Sequence, residues 1–159
     1  MYKLIRQDEK GIGLVEMVIA LGVAIIVITA MVSLSVYTLR SSTQGEIMFE
    51  ASKYANEYLE RVRLTRDSSA SWSGFITTIQ NCDTSNCYYN SSGNVTTGQE
   101  AISGTSPQVT RYFRVTNVSG GNVALTDTVV RVSVTVTWNI GGNQRSTYVY
   151  TDLSNWRRK

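Results

Sequence analysis

Histidine is absent from all 159 residues. Its absence removes imidazole general-base catalysis, histidine-containing zinc sites and the Ser-His-Asp arrangement together. Charged residues make up only 17% of the chain and balance to +3. That leaves few carboxylates for acid–base chemistry, and the excess is too mild to mark a nucleic-acid footprint. Cysteine is limited to Cys82 and Cys87, and proline to Pro107. A metal site on the two cysteines has only Asp83 nearby to add a ligand, and their spacing is not the C-x-x-C of redox catalysts. Clustered loop acids of the kind that bind calcium are also lacking, since Asp127 and Asp152 alone do not make a cluster. The expectation is a protein with no catalytic residue, no metal and no cofactor.

Apolar sequence, by contrast, is abundant at the N-terminal end. Residues 17–39 carry no charge at all, and as a helix these roughly 23 residues reach about 35 Å, enough to cross the hydrocarbon core of a bilayer. Lys3, Arg6 and Lys10 outnumber Asp8 and Glu9 on the short flank before this run, which orients the N-terminus toward the cytoplasm. One carboxylate, Glu16, sits just inside the apolar stretch that begins at Gly11. A charged acid in a spanning segment costs up to about 3 kcal/mol near the centre and less near an edge, so it marks a functional site by default. Three readings compete for this segment. In a secretory signal, Ser33 and Ser35 imitate a small-x-small cleavage site, but the apolar run continues past them. A plain signal anchor accounts for length and orientation but gives Glu16 no purpose.

The third reading takes Lys10, Gly11, Ile12, Gly13, Leu14, Val15 and Glu16 together. This K-G-I-G-L-V-E string, followed directly by the apolar run, closely resembles the prepilin signature of type IV pilins and type II secretion pseudopilins. Two departures are the Ile12 and Gly13 positions, where family members more often carry Phe and Thr or Ser. Many members also have a helix proline partway along the span, where this chain has Ser33, Ser35 and Thr38. The resemblance implies cleavage after Gly11 by a prepilin peptidase, methylation of the new amine on Ile12, and assembly into a filament. The amine of Ile12 and the carboxylate of Glu16 then stand at i and i+4 on one side of the helix start. An acid in that first turn suits the positive end of the helix dipole. Both groups are costly in lipid unless paired, so the Glu16 of one subunit is positioned to take the amine of the next and set their register. Ala20, Gly22, Ala24, Ala30 and Ser33 supply small residues that let helix backbones approach closely.

Helical periodicity outlasts the apolar run. Ile47, Ala51, Tyr54, Tyr58 and Val62 recur at spacings of three and four, with charged residues on the other faces. One helix from about Ile12 to Arg66 is expected, loosened around residues 41–45. Residues 67–74 interrupt it, and Phe75, Ile76 and Ile79 suggest a short helical turn packed on the core. Cys82 and Cys87, in a segment placed outside the cytoplasm, read as a disulfide closing a small loop. Residues 90–107 read as loop, with at most a short strand at Tyr88 and Tyr89. Three strands follow, at residues 111–118, 129–140 and 145–152, separated by glycine- and asparagine-bearing turns. In the middle strand Val130, Val132, Val134, Val136 and Trp138 alternate with Arg131, Ser133, Thr135 and Thr137, the pattern of a sheet covered on one face. Either Tyr148 and Tyr150 or Val149 point inward from the last strand.

The expected architecture is α+β and pilin-like, with a long N-terminal helix packed on a C-terminal antiparallel sheet of three to four strands. Residues 1–11 form the leader, 12–39 the transmembrane and filament-core helix, 40–66 its amphipathic continuation, and 67–159 the loop and sheet region. The resemblance implies a subunit of a type IV pilus or type II secretion pseudopilus. Trp138 and Trp156 in the sheet region resemble a minor pilin. Its partners are then other pilin subunits, the prepilin peptidase, the inner-membrane assembly platform and, before assembly, membrane lipid. It resides as a single pass in the cytoplasmic membrane, then in a surface filament or periplasmic pseudopilus. Two other classes use the same anchor. One is an extracellular binding domain such as an adhesin. The other is a DNA-uptake pilin, for which Arg111, Arg114, Arg157, Arg158 and Lys159 are the candidate cations, although the charge does not call for nucleic acid.

Overall fold

The computed structural model describes residues 10–156, with side chains from Gly13 onward. Most of the expected leader and the basic residues Arg157, Arg158 and Lys159 lie outside the described residues. The chain divides into two compact units, one ending at Gly45 and one beginning at Glu46.

Helix α1 spans Lys10–Ser68 without a break. The expected loosening at residues 41–45 is absent, and Thr43 there donates its hydroxyl to the Leu39 carbonyl at 3.0 Å. In the second unit, α1 buries Ala51, Tyr58 and Val62 and half-buries Ile47 and Tyr54, the stripe expected from periodicity. Ala55 and Leu59 join them in the core. After the turn of residues 69–71, α2 occupies Trp72–Ile79, capped by the Ser71 hydroxyl accepting the Gly74 N–H at 3.1 Å. It buries Phe75, Ile76 and Ile79 completely.

The sheet is antiparallel and has six strands rather than three or four. These are β1 (Cys87–Tyr89), β2 (Val95–Thr97), β3 (Glu100–Ile102), β4 (Val109–Asn117), β5 (Val129–Ile140) and β6 (Asn143–Ser154), in the order β2-β1-β4-β5-β6 with β3 also paired to β4. Strands β2 and β3 occupy the region expected to be loop. Each is three residues long and has no buried residue, so no hydrophobic alternation announces it. Pairing makes them strands: β2 returns along β1 through a turn in which the Asn90 side-chain oxygen accepts the N–H of Ser92 and Asn94. The β5–β6 hairpin turns on Gly141 and Gly142, both with positive φ, between the paired Ile140 and Asn143. That is the geometry a two-residue hairpin matching strand twist requires.

One face of the sheet is dry. Val109, Phe113 and Val115 of β4, Val130, Val132, Val134, Val136 and Trp138 of β5, and Leu153 of β6 form a single core with α1 and α2. On β6 Val149 points inward with Leu153, while Tyr148 and Tyr150 are exposed. On the wet face Arg131 donates two hydrogen bonds to Asp152 at 2.7 and 2.9 Å, holding that carboxyl below its usual range.

Tyr58 fastens the helix to the sheet. Its ring lies 5.6 Å from Tyr89 and 6.0 Å from Phe113, and its hydroxyl accepts the Tyr89 backbone N–H at 2.7 Å. Burial pushes this hydroxyl up to about 12 from 10.0, against the lowering effect of the Tyr89 hydrogen bond. Below pH 10 both folded and unfolded chains keep the proton and the full stability is present. As pH rises through the window from 10.0 to about 12, the unfolded chain ionises first and stability is lost. Denaturant midpoints measured across this window should therefore fall in the native protein and fall less steeply in Tyr58→Phe. The variant should also start about 1 kcal/mol lower at neutral pH, from the lost Tyr89 hydrogen bond. Parallel alkaline declines in the two proteins would remove Tyr58 from this role.

Candidate functional site

From Gly13 to Glu46 every residue of α1 is exposed, including side chains as large and apolar as Met17, Ile26 and Leu39. Water-soluble monomers rarely show contiguous apolar patches beyond a few hundred Å². This stretch is one helix long and apolar enough to cross a membrane, and none of the span is buried inside the chain. Three of its hydroxyl groups in the apolar run are satisfied locally. Thr29, Ser35 and Thr38 donate to the carbonyls of Ile25, Met31 and Leu34 at 2.7 to 2.9 Å, which lets these polar residues sit in a medium that offers no hydrogen bonds. Gly22 has open space where a side chain would be.

Glu16 is exposed on this apolar rod and makes no ion pair among the described residues. The described helix includes Lys10 and Gly11 ahead of Glu16, so the favourable dipole interaction expected for Glu16, which fades within the first turn, applies to a chain shortened at Gly11. Gly11 and Ile12 belong to the helical backbone, and the Ile12 side chain lies outside what the structure describes.

Cys82 and Cys87 are joined as expected, with Cα atoms 5.5 Å apart. Both are buried. Cys82 ends the single 3-10 turn Gln80–Cys82 that follows α2, and Cys87 opens β1 opposite Phe113. The bond thus ties the α2 end to the sheet.

Arg111 differs from its expected place among the surface cations. It points into the dry face, 7% exposed. Its guanidinium lies 4.4 Å from the centre of the Tyr58 ring, donates to Glu100 at 2.7 Å and reaches Glu57 at 3.7 Å. Strand β3 sets Glu100 directly opposite Arg111 in the register, which explains why so short a strand is held there. Arg114 is exposed and donates to the Asn86 side chain at 2.8 Å. Among the described residues no three His, Cys, Asp or Glu side chains gather as a metal site.

No family model, curated protein or solved structure matches this chain. Its own geometry is therefore the basis for reading it: an uncovered apolar helix carrying one acid, and a separate α+β unit held by a buried aromatic cluster and one disulfide.

Replacing both Cys82 and Cys87 with Ser should lower the unfolding free energy by about 2 kcal/mol, the loop-closure contribution of so short a ring. Chemical denaturation of the native protein with and without reductant gives the same comparison. Identical midpoints would mean that the clip adds nothing to stability.

Proposed function

We propose that this chain is a structural subunit of a type IV pilus or type II secretion pseudopilus, held in the cytoplasmic membrane and assembled through its N-terminal helix. The observation that carries the proposal is the uncovered apolar helix with its lone acid. Among the described residues, the core and the side chains packed against it begin at Ile47, and the exposed apolar helix before it suits covering by lipid and later by other subunits. Moving such a helix from lipid into a bundle of like helices exchanges one apolar contact for another and supplies little preference for register. A charge pair supplies it. After cleavage at Gly11, the Ile12 amine of an incoming subunit and the Glu16 of a neighbour would neutralise each other where water is excluded. Leaving either alone there is strongly unfavourable.

In this reading the chain has no chemistry of its own. It is the substrate of a prepilin peptidase and a packing element for its neighbours, and the α+β unit faces the outside. A DNA-uptake role is weakened by the burial of Arg111. A membrane-anchored binding domain would use the same helix but would have no need of Glu16.

Glu16→Ala tests the proposal when membrane content and filament content are both measured. The variant should accumulate in the membrane at the native level yet enter filaments at least about tenfold less, as expected for loss of a partner in a buried ion pair. Incorporation at the native level would sink the assembly role of Glu16.

A further inference from the structure

Strand β6 is the long free edge of the sheet. It pairs with β5, residue against residue from Val129 and Ser154 to Ile140 and Asn143, without a bulge. The opposite edge, β2, is three residues long. Opposed residues in an antiparallel ladder alternate between pairs that exchange both backbone hydrogen bonds and pairs that exchange none. Ile140 and Asn143 close a two-residue turn and so exchange theirs. The same phase continues past the strand to Asn155, whose N–H donates to the Thr128 carbonyl at 2.9 Å. The odd-numbered residues of β6 therefore bond to β5, and the backbone N–H and C=O groups of Gln144, Ser146, Tyr148, Tyr150 and Asp152 turn outward. All five residues are exposed, and among the described residues no second strand pairs with this edge.

Native sheets guard such an edge with lysine, proline, a bulge or a covering element. Strand β6 holds neither lysine nor proline, and of its two charges Asp152 is already held by Arg131. A partner that satisfies the whole edge must bring an edge of matching length. No other described strand offers one, because β5 is paired along both sides and β2 and β3 are three residues long. Strand β6 itself does, and its sequence is self-complementary. In an antiparallel pair turned about Val149, the outward backbone groups of one strand meet those of the other. Tyr148 then faces Tyr150 of the second copy, Thr147 faces Thr151, and Val149 faces its own counterpart. Aromatic and threonine pairs are favourable across antiparallel strands. No like charges oppose one another, since Arg145 falls opposite Leu153 and Asp152 opposite Ser146. Val149, half-buried on the dry side, gains cover in the same step.

We propose that β6 is a self-association edge, through which two copies of this chain join by antiparallel β6–β6 pairing about a two-fold axis at Val149. That axis stands perpendicular to the sheet and reverses every direction within the sheet plane. The two copies therefore belong to separate assemblies and are not neighbours in one polar filament. The inference does not rest on the proposed assembly through the N-terminal helix.

Cysteine cross-linking of the full chain in detergent tests it. Val149→Cys places two thiols at the axis, in a pair without backbone hydrogen bonds whose Cα atoms lie about 4.5 Å apart, within reach of a disulfide. The native cysteines are already joined to each other. Under mild oxidation this variant should run as a covalent dimer, the underlying pairing having a dissociation constant on the order of 10 µM. Asn94→Cys, exposed beside the β1–β2 turn, should stay monomeric. Adding Tyr148→Lys and Tyr150→Lys to Val149→Cys sets like charges against each other in this register and should cut the dimer about tenfold. Adding Tyr148→Lys and Tyr150→Glu instead opposes unlike charges and should restore it. A Val149→Cys chain that stays monomeric at about 100 µM would overturn the proposal. Equal cross-linking of Asn94→Cys would do so as well, and so would a dimer that responds to neither pair of charges.

Discussion

Water's exclusion from apolar surface is the constraint on which the rest of this molecule depends. The stretch from Gly13 onward presents large aliphatic side chains on every side. Each is worth roughly 1.5 to 3 kcal/mol when removed from water. Summed over the helix this outweighs by far the net stability of a small domain, and the helix is long and apolar enough to cross a membrane. Among the described residues, the second unit's core and the residues packed against it begin at Ile47. The local hydrogen bonds of Thr29, Ser35 and Thr38 suit a dry surrounding such as lipid. In the proposed assembly Glu16 is the group that needs a partner.

The second unit solves a different problem by ordinary means. Its core is a helix stripe against one face of an antiparallel sheet, joined at the Tyr58, Tyr89 and Phe113 rings. Within that core lies a charge, Arg111. A buried guanidinium destabilises a fold unless it is paired, and three groups from two elements contribute to pairing it: Glu57 and the Tyr58 ring from α1, and Glu100 from β3. Such an arrangement fixes the relative position of helix and sheet more narrowly than valines alone could, because a shift of either element would leave the charge without its partner.

The features legible in the sequence were those with a strong period. Alternation along β5 specified both its length and its inward face, and the three-four spacing of Ile47 to Val62 identified the helix side that meets the sheet. The cysteine pair was legible from spacing and topology. What escaped notice had no period to display. Ala55 and Leu59 widen the buried stripe beyond the positions that a narrow count selects. Strands β2 and β3 are three residues long with no fully buried residue, and exist through pairing with β1 and β4. Arg111 read as a surface cation because residue type argues for exposure. Its position in the alternation of β4, in step with Val109, Phe113 and Val115, was the available signal that it points inward. The proposed prepilin-like processing rests on residues 10–16 as a sequence motif.

The account's central claim is that Glu16 serves an amino group created by cleavage after Gly11. Mass spectrometry of the N-terminal peptide, on protein purified from cells that carry the assembly apparatus, tests this most directly. The account predicts a chain that starts at Ile12 and bears one added methyl group. A chain that still starts at Met1, or one cut beyond the apolar run, would contradict it.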